Sequence, residues 1–252
     1  MRRDRWFPTA VVAALVLLCA PGLAAAAVGR VVTVQGTAWR TPEGAERQPL
    51  TPDVEIEQKD TLEVESESGV KLLLNDGSVL LLSADSHLVI TEAEFAGQER
   101  KGFVGYLKLG KVWAEVKKAL SGSEAKFEVK TDRAVAGVRG TTLRVDVAPP
   151  VSSGALSPST VVQVYSGLVK VAVRVPKAKA PPVTAPRPGE RKEVPGPREV
   201  TVEEWEEIVR DLRKNKQIEV GERVGPVTDL DTKRRDDAFG AFIQSNRGLK
   251  RP

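Results

Sequence analysis

Apolar and polar residues alternate along much of the chain between residues 28 and 175. The valines at every second position from Val169 to Val175 share one side of such a segment, and glutamates alternate with aliphatic residues between Glu55 and Glu67. Successive side chains of a strand point to opposite faces, so this pattern predicts sheets with one buried and one solvent-exposed face. Short stretches of Gly, Asp, Asn and Ser separate the runs, as is typical of sandwiches and barrels. We therefore predict an all-β, jelly-roll-like β-sandwich.

The clearest local signal is a hairpin at Asn75-Asp76-Gly77-Ser78, between the apolar runs Val70–Leu74 and Val79–Leu82. Asp-Gly suits the positive φ angles of a primed two-residue turn. The second run is apolar at every position, which predicts a strand covered on both faces. Trp113, in a later run, is expected to be a core or half-buried anchor, the alternative being an exposed stacking surface.

A second motif, Gly137-Val138-Arg139-Gly140-Thr141, lies between two further strand-like runs. Glycine allows positive φ and close approach of the backbone, so the motif predicts a bend that holds one arginine in a fixed place. The guanidinium of Arg139 offers five donors in a planar fork. Two interpretations stay open: Arg139 satisfies carbonyls or a carboxylate and locks a corner, or it binds an anionic ligand. The candidate residues are Gly137, Arg139, Gly140 and Thr141.

The pattern changes after residue 175. Residues 176–200 are rich in proline, which predicts an extended, semi-rigid linker. Within residues 201–216, Thr201 and Glu204 have the spacing of a capping box, which predicts the start of a helix. Residues 217–252 are expected to form a loosely ordered basic tail.

The predicted helix over residues 201–216 has one apolar stripe, made by Trp205, Ile208, Val209 and Leu212 at i, i+3, i+4 and i+7. A helix this short is marginal alone, so its stripe is expected to dock on the sandwich or on a partner. In the tail, Phe239, Phe242 and Ile243 have the spacing of a short amphipathic turn.

The first 26 residues have the form of a secretory signal. Arg2, Arg3 and Arg5 precede an apolar run from Ala10 to Cys19, and small residues follow up to Ala26. The run is short for a membrane span, so we expect cleavage near Ala26, with an uncleaved anchor as the alternative. The single cysteine lies in this segment, so the mature chain is expected to have no disulfide. These features predict a periplasmic or secreted bacterial protein without a transmembrane span in its mature form.

Composition limits which classes of partner and reaction the chain suits. The formal net charge of +4 is too balanced to suggest a nucleic-acid partner. The chain has one histidine and no Gly-x-Ser-x-Gly or P-loop motif, so no catalytic, metal or cofactor-binding residues are predicted. We expect a protein that is not an enzyme.

The order of motifs between residues 28 and 175 resembles the FecR domain, the periplasmic domain of bacterial iron-dicitrate-type regulators. The resemblance rests on Gly29–Gly36, Lys59–Leu62, the Asn75–Ser78 hairpin, Leu107–Val112, Phe127–Thr131, Gly137–Thr141 and Val164–Val171. It implies a β-sandwich-like, non-enzymatic domain that acts in signalling or interaction across the cell envelope. The best-known members also carry a cytoplasmic segment that binds a sigma factor, followed by a membrane helix. Because only nine residues precede the apolar run at Ala10, the resemblance implies an exported domain without that segment.

We therefore expect an exported envelope interaction or signalling module. It would bind another envelope protein through the β-domain at 27–175 and also through the C-terminal helix. The alternative is a glycan- or peptidoglycan-binding module, in which Trp39, Trp113 and Trp205 supply the aromatic faces. The sequence leaves the identity of the partner and the oligomeric state open.

Overall fold

The computed structural model describes residues 26–118, 125–149, 158–176, 205–221, 223–231 and 237–247. These residues form seventeen strands and one helix. The elements are β1 (Ala27–Gln35), β2 (Ala38–Thr41), β3 (Gln48–Pro49), β4 (Glu55–Glu57), β5 (Thr61–Val64), β6 (Gly69–Leu74), β7 (Val79–Leu82), β8 (Ser86–Ala96), β9 (Glu99–Glu115), β10 (Lys126–Lys130), β11 (Ala134–Val138), β12 (Thr142–Ala148), β13 (Ser159–Ser166), β14 (Leu168–Pro176), β15 (Trp205–Arg213), β16 (Lys216–Val220), β17 (Thr228–Asp229) and α1 (Ala238–Arg247).

The strands form two sheets that share β9. Sheet A has the order β4-β1-β6-β7-β9-β12-β13-β16-β17. Sheet B has the order β3-β2-β5-β8-β9-β10-β11-β14-β15. The β9–β10 pair is parallel, and the other pairs are antiparallel.

Strand β9 crosses from one sheet to the other at Gly110. Its first part pairs with β8 and β10 in sheet B, and the residues from Gly110 onward pair with β12 and β7 in sheet A. Gly110 has φ +87°, and a Cβ atom there would lie 2.4 Å from Ser86 Cα. Glycine adopts this backbone without strain, so the sequence allows the bend at this residue.

The two sheets enclose one hydrophobic core. Leu62, Phe103 and Val171 of sheet B belong to the same buried cluster as Leu72 and Val145 of sheet A. The predicted β-sandwich is therefore confirmed, because alternate apolar residues of both sheets face each other as they do between packed sheets.

The hairpin predicted at Asn75–Ser78 is present and joins β6 to β7. Gly77 has φ +78°, but Asp76 is not among the residues with positive φ, so the turn is not the primed two-residue type. Strand β7 is covered on both faces as predicted: Leu80 and Leu82 lie in the core between the sheets, and Leu81 lies in a second cluster on the outer face.

The helix predicted over residues 201–216 is wrong from Trp205 onward. Trp205–Arg213 forms β15, which pairs with β14 from Leu168 to Pro176, and the chain then turns at Asn215 (φ +63°) into β16. The apolar spacing was ambiguous, because residues four apart also share a face of a strand. Leu212 is fully buried and Ile208 is half-buried, whereas Val209 is 52% exposed.

A C-terminal helix is confirmed, but it lies at Ala238–Arg247. The sandwich also continues beyond residue 175, because β15 extends sheet B while β16 and β17 extend sheet A. Residues 217–252 are therefore not a loosely ordered tail throughout. Residues 1–25 and 177–204 lie outside the described residues, so the signal segment, the linker and the Thr201–Glu204 capping box stay predictions. The helix of the described residues is too short and too polar to cross a membrane.

Candidate functional site

The glycine-arginine motif lies where the chain crosses between the sheets. Residues after β11 lead from sheet B to sheet A, and the Ser166–Gly167 connection beside them leads back from sheet A to sheet B. Gly140 (φ +60°) and Gly167 (φ +80°) take left-handed conformations, and a Cβ atom on Gly167 would lie 2.8 Å from Thr141 Oγ1. Thr141 Oγ1 lies 3.2 Å from the carbonyl oxygen of Leu168, to which it donates. The motif therefore builds a tightly packed double crossing.

The four predicted motif residues differ in burial. Gly137 lies within β11, between Glu128 of β10 and Lys170 of β14. Thr141 is 1% exposed, and its carbonyl accepts a hydrogen bond from Val116 N at 2.9 Å, whereas Arg139 is exposed. Gly140 and Thr141 thus have structural roles, whereas a Cβ atom on Gly137 would meet only Lys170 O at an ordinary 3.8 Å. A ligand contact by Arg139 stays a prediction.

The residues predicted to form a partner-binding helix face lie instead along β15. Leu212 is part of the core and Val209 is on the opposite, exposed face. The structure places Trp205 opposite Pro176 in the β14–β15 register. The four residues therefore do not form one surface.

A small hydrophobic cluster, the α1 cluster, lies on the outer face of sheet A. Phe239 and Ile243 of α1 pack against Leu81 of β7 and Trp113 of β9, each of which is at most 7% exposed. Val79, Tyr165 and Phe242 pack at its margin. Trp113 is thus a buried anchor, as predicted, although it lies under α1 and not between the sheets.

A charged network holds the first turn of α1. Arg144 of β12 is fully buried, and its guanidinium donates to Asp237 at 2.6 and 3.1 Å and to Asp146 at 2.7 and 2.9 Å. Lys111 Nζ donates to Asp237 at 3.0 Å. Asp237 Oδ1 also accepts from Gly240 N at 2.8 Å, which makes Asp237 the N-cap of α1.

The network changes the acidity of its members. Burial alone raises the pKa of Asp237, but hydrogen bonds from Arg144, Lys111 and Gly240 N outweigh burial and lower this pKa to about 2. Burial lowers the pKa of Arg144, but its hydrogen bonds to Asp237 and Asp146 leave that pKa above its ordinary value. Both groups are therefore charged at neutral pH, and the pair is stabilised by charge-assisted hydrogen bonds.

The other end of α1 is held as well. Lys71 of β6 is 5% exposed, and its Nζ donates to the carbonyl oxygen of Asn246 at 2.9 Å. A cation at this position complements the negative end of the helix dipole. The ring of Phe242 lies against Gly69, where a Cβ atom would approach it to 2.8 Å. Sheet A thus provides a matching contact for the beginning, the middle and the end of the helix.

A cavity of about 980 Å³ lies beside the first turn of α1, lined in part by Asp85, Lys111, Asp146 and Phe239. Asp146, on the wall of this cavity, accepts a hydrogen bond from Arg144, so its carboxylate is part of the network that holds α1. Among the described residues, no three histidine, cysteine or carboxylate side chains cluster as a metal site would require.

Sequence reasoning missed this network, although it contained signals for it. Arg144 and Asp146 are two apart in an otherwise apolar strand, so they share its outer face. Asp237 precedes Ala-Phe-Gly-Ala-Phe-Ile, and an aspartate immediately before an apolar-periodic run is a helix-start signal. What the sequence did not show is that these two segments, 91 positions apart, meet.

Comparison with curated proteins gave no match. Two crystal structures of a protein described as a proposed anti-sigma factor from Parabacteroides distasonis ATCC 8503 align with 75% of this chain at 18% identity and a TM-score of 0.43. The alignments span slightly less than two thirds of each solved chain, 66% and 65%. Residues 60–170, from the start of β5 into β14, match the family model described as FecR protein, and this match confirms the resemblance to a FecR domain over that part of the chain.

Proposed function

We propose that the protein is an exported, non-enzymatic regulatory module of the bacterial cell envelope. Its FecR domain supports a regulatory signalling role. In this proposal, the module acts by binding another envelope protein through the β-domain. The signal-like segment before residue 27 supports export to the periplasm or the exterior.

The observation that carries the proposal is the outer edge of β15. Within the described strands, β15 pairs with β14 along nine residues and has no neighbour on its other side. The outer strands at the other sheet edges, β3, β4 and β17, have two or three residues each. Natural sheets usually shorten or cover their edges, because an open edge can pair with another chain. A nine-residue edge therefore suits the addition of a partner strand.

The side chains of β15 favour selective pairing. Val209 is 52% exposed and offers an apolar contact, while its neighbours Arg210 and Asp211 are exposed charges. Charged residues on an edge limit indiscriminate association, so an added strand needs complementary charges at these positions. The proposed partner is thus a protein with an extended segment, apolar at one position and charged beside it.

The alternative, a glycan-binding module, has less support from the aromatic residues. Trp113 is 2% exposed under α1 and offers no stacking face. Arg47 covers one face of Trp39, with its guanidinium carbon 4.4 Å from the ring centroid. Sugar sites need open aromatic faces, so a protein partner is the better supported choice.

Site-specific photo-crosslinking tests the proposal. A benzophenone amino acid replaces Val209 in the full chain, and a matched control replaces Val227, which is 41% exposed and lies outside β15. We expect one envelope protein to be captured at Val209 and not at Val227. Added in excess without a crosslinker, the native chain should compete with this capture at least tenfold more effectively than the Val209→Lys chain, and the two chains should have the same melting temperature. Equal capture at both positions, or none at Val209, would contradict the proposal.

A further inference from the structure

Helix α1 is attached to the sandwich through a cluster of its own. Phe239 and Ile243 contact Leu81 and Trp113 on the outer face of sheet A, and this cluster is separate from the core between the sheets. Release of α1 would therefore leave the main core intact. Elements with few buried contacts open locally at lower cost than the core.

The face of sheet A under α1 would expose apolar side chains to water if α1 were released. Without α1, the side chains of Leu81 and Trp113, now 1% and 2% exposed, would form an apolar patch on the sheet. The guanidinium of Arg144, now fully buried, would lose its bond to Asp237. Exposed apolar patches beside a charged group mark interaction sites.

The contacts of α1 define which helix fits this face. An acidic N-cap is needed for Arg144 and Lys111, which both donate to Asp237. Apolar side chains are needed two, five and six residues later, where α1 has Phe239, Phe242 and Ile243. A carbonyl at the end of the helix is bound by Lys71. The face thus selects an amphipathic helix in one direction.

Helix α1 is a weak occupant by its own composition. It has ten residues and no acidic residue in its first turn, and it contains Gly240. Glycine is a poor helix former, and helices this short are marginal without tertiary contacts. Its advantage is attachment to the same chain, which supplies a high effective concentration.

We propose that the outer face of sheet A is a helix-binding surface that α1 occupies in the same chain, and that an amphipathic helix of a partner protein replaces α1 there. The partner helix has an acidic N-cap followed by apolar residues two, five and six positions later. This surface is distinct from the edge of β15, so the inference does not depend on the proposed function.

A pair of substitutions at one exposed position tests the proposal in the full chain. Gln244 is exposed in the middle of α1 and is not one of the residues of the α1 cluster. Gln244→Pro breaks the helix, because proline lacks the N–H group and clashes with the preceding turn. Gln244→Ala preserves the helix and is the matched control. The probe is a fluorescein-labelled peptide with the sequence of residues 237–247, and its binding is measured by anisotropy.

We expect the Gln244→Pro chain to bind the peptide at least tenfold more tightly than the Gln244→Ala chain. A peptide carrying Phe239→Ala and Ile243→Ala should bind neither chain. Hydrogen exchange should show α1 amides unprotected in the Gln244→Pro chain and β9 amides still protected. Equal peptide binding by both chains, with α1 released in one, would overturn the proposal.

Hydrogen exchange of the unaltered chain gives a second, independent result. We expect α1 amides to exchange at least tenfold faster than the most protected β9 amides, which supports local release. Exchange of both at one rate would mean that α1 opens only with the whole sandwich, and this would overturn the proposal. A dimer whose chains exchange α1, detected by light scattering and mixed isotope labelling, would place a second copy on this face and overturn the partner assignment.

Discussion

Removal of the Asp237 carboxylate should make α1 open more often without unfolding the sandwich. Asp237 is both the N-cap of α1 and a partner of the buried Arg144 guanidinium. An N-cap contributes about 1 kcal/mol, and a hydrogen bond to a charged group contributes about 1.5–3 kcal/mol. Arg144 keeps Asp146, and the Asp237 side chain is 25% exposed, so the lower end applies.

Asp237→Ala should therefore cost about 2.5 kcal/mol, which is a roughly 70-fold increase in the opening of α1. Asp237→Asn keeps a capping oxygen and loses the charge, so it should cost about 1.5 kcal/mol, or roughly tenfold. Hydrogen exchange of the α1 amides at neutral pH measures both values. Amides of β12 should exchange at the unaltered rate.

The matched control is Asp229→Asn. Asp229 also pairs with a lysine, Lys216, at 2.7 Å, but its side chain is 85% exposed. Exposed ion pairs contribute little, so this change should not measurably affect α1 exchange. The reasoning is refuted if Asp237→Asn leaves α1 exchange unchanged, or if Asp229→Asn accelerates it as much.

The remaining predictions concern pH and two buried positions. The pKa of Asp237 falls from 3.8 to about 2 on docking, so its carboxylate stabilises docked α1 by about 2 kcal/mol. This stabilisation should be complete above about pH 4 and lost as pH falls through 2. NMR signals of α1 amides should show the loss of docking at low pH, and Asp237→Asn should abolish this pH dependence. Gly167→Ala should lower the free energy of unfolding by about 1–3 kcal/mol in urea titrations, because φ is +80° and a Cβ atom would approach the hydroxyl of Thr141. Gly44→Ala is the control: it has the same backbone strain from a positive φ but no atom near the added Cβ, so it should cost less. Arg100 of β9 is buried and forms an ion pair with Asp76, whose side chain is 6% exposed. Arg100→Ala should therefore lower the free energy of unfolding by about 3–5 kcal/mol in the same assay, because Asp76 is left without its buried partner. A loss under about 1 kcal/mol would contradict this prediction.

The C-terminal segment shows where a local pattern misleads. The spacing of Ile208 and Leu212 fits one face of a helix and one face of a strand equally well. The Thr201–Glu204 capping signal favoured the helix. The segment forms a strand because pairing with β14 over nine residues satisfies the hydrogen bonds of its backbone and buries Leu212 in the core. Propensity is a weak prior that such tertiary pairing overrides.

The candidate site was predictable only in pieces. The bend at Gly140 and the burial of Trp113 follow from residue type, and both are present. The apolar spacing of Phe239 and Ile243 indicated an amphipathic turn, and these residues lie on α1. The face that α1 covers could not be predicted, because it combines strands β7, β9, β12 and β13 with a segment more than 70 residues further along the chain.

The sequence by itself determined the strand periodicity, the β6–β7 hairpin and the all-β class, because these depend on neighbouring residues and on which side chains avoid water. Tertiary structure decided that residues 205–213 extend sheet B and that α1 docks on sheet A. It also decided that Arg144 and Asp237 form a buried pair. The physical reason is that strand pairing and charge burial are energies between distant segments, and no local pattern specifies which distant segment supplies the partner.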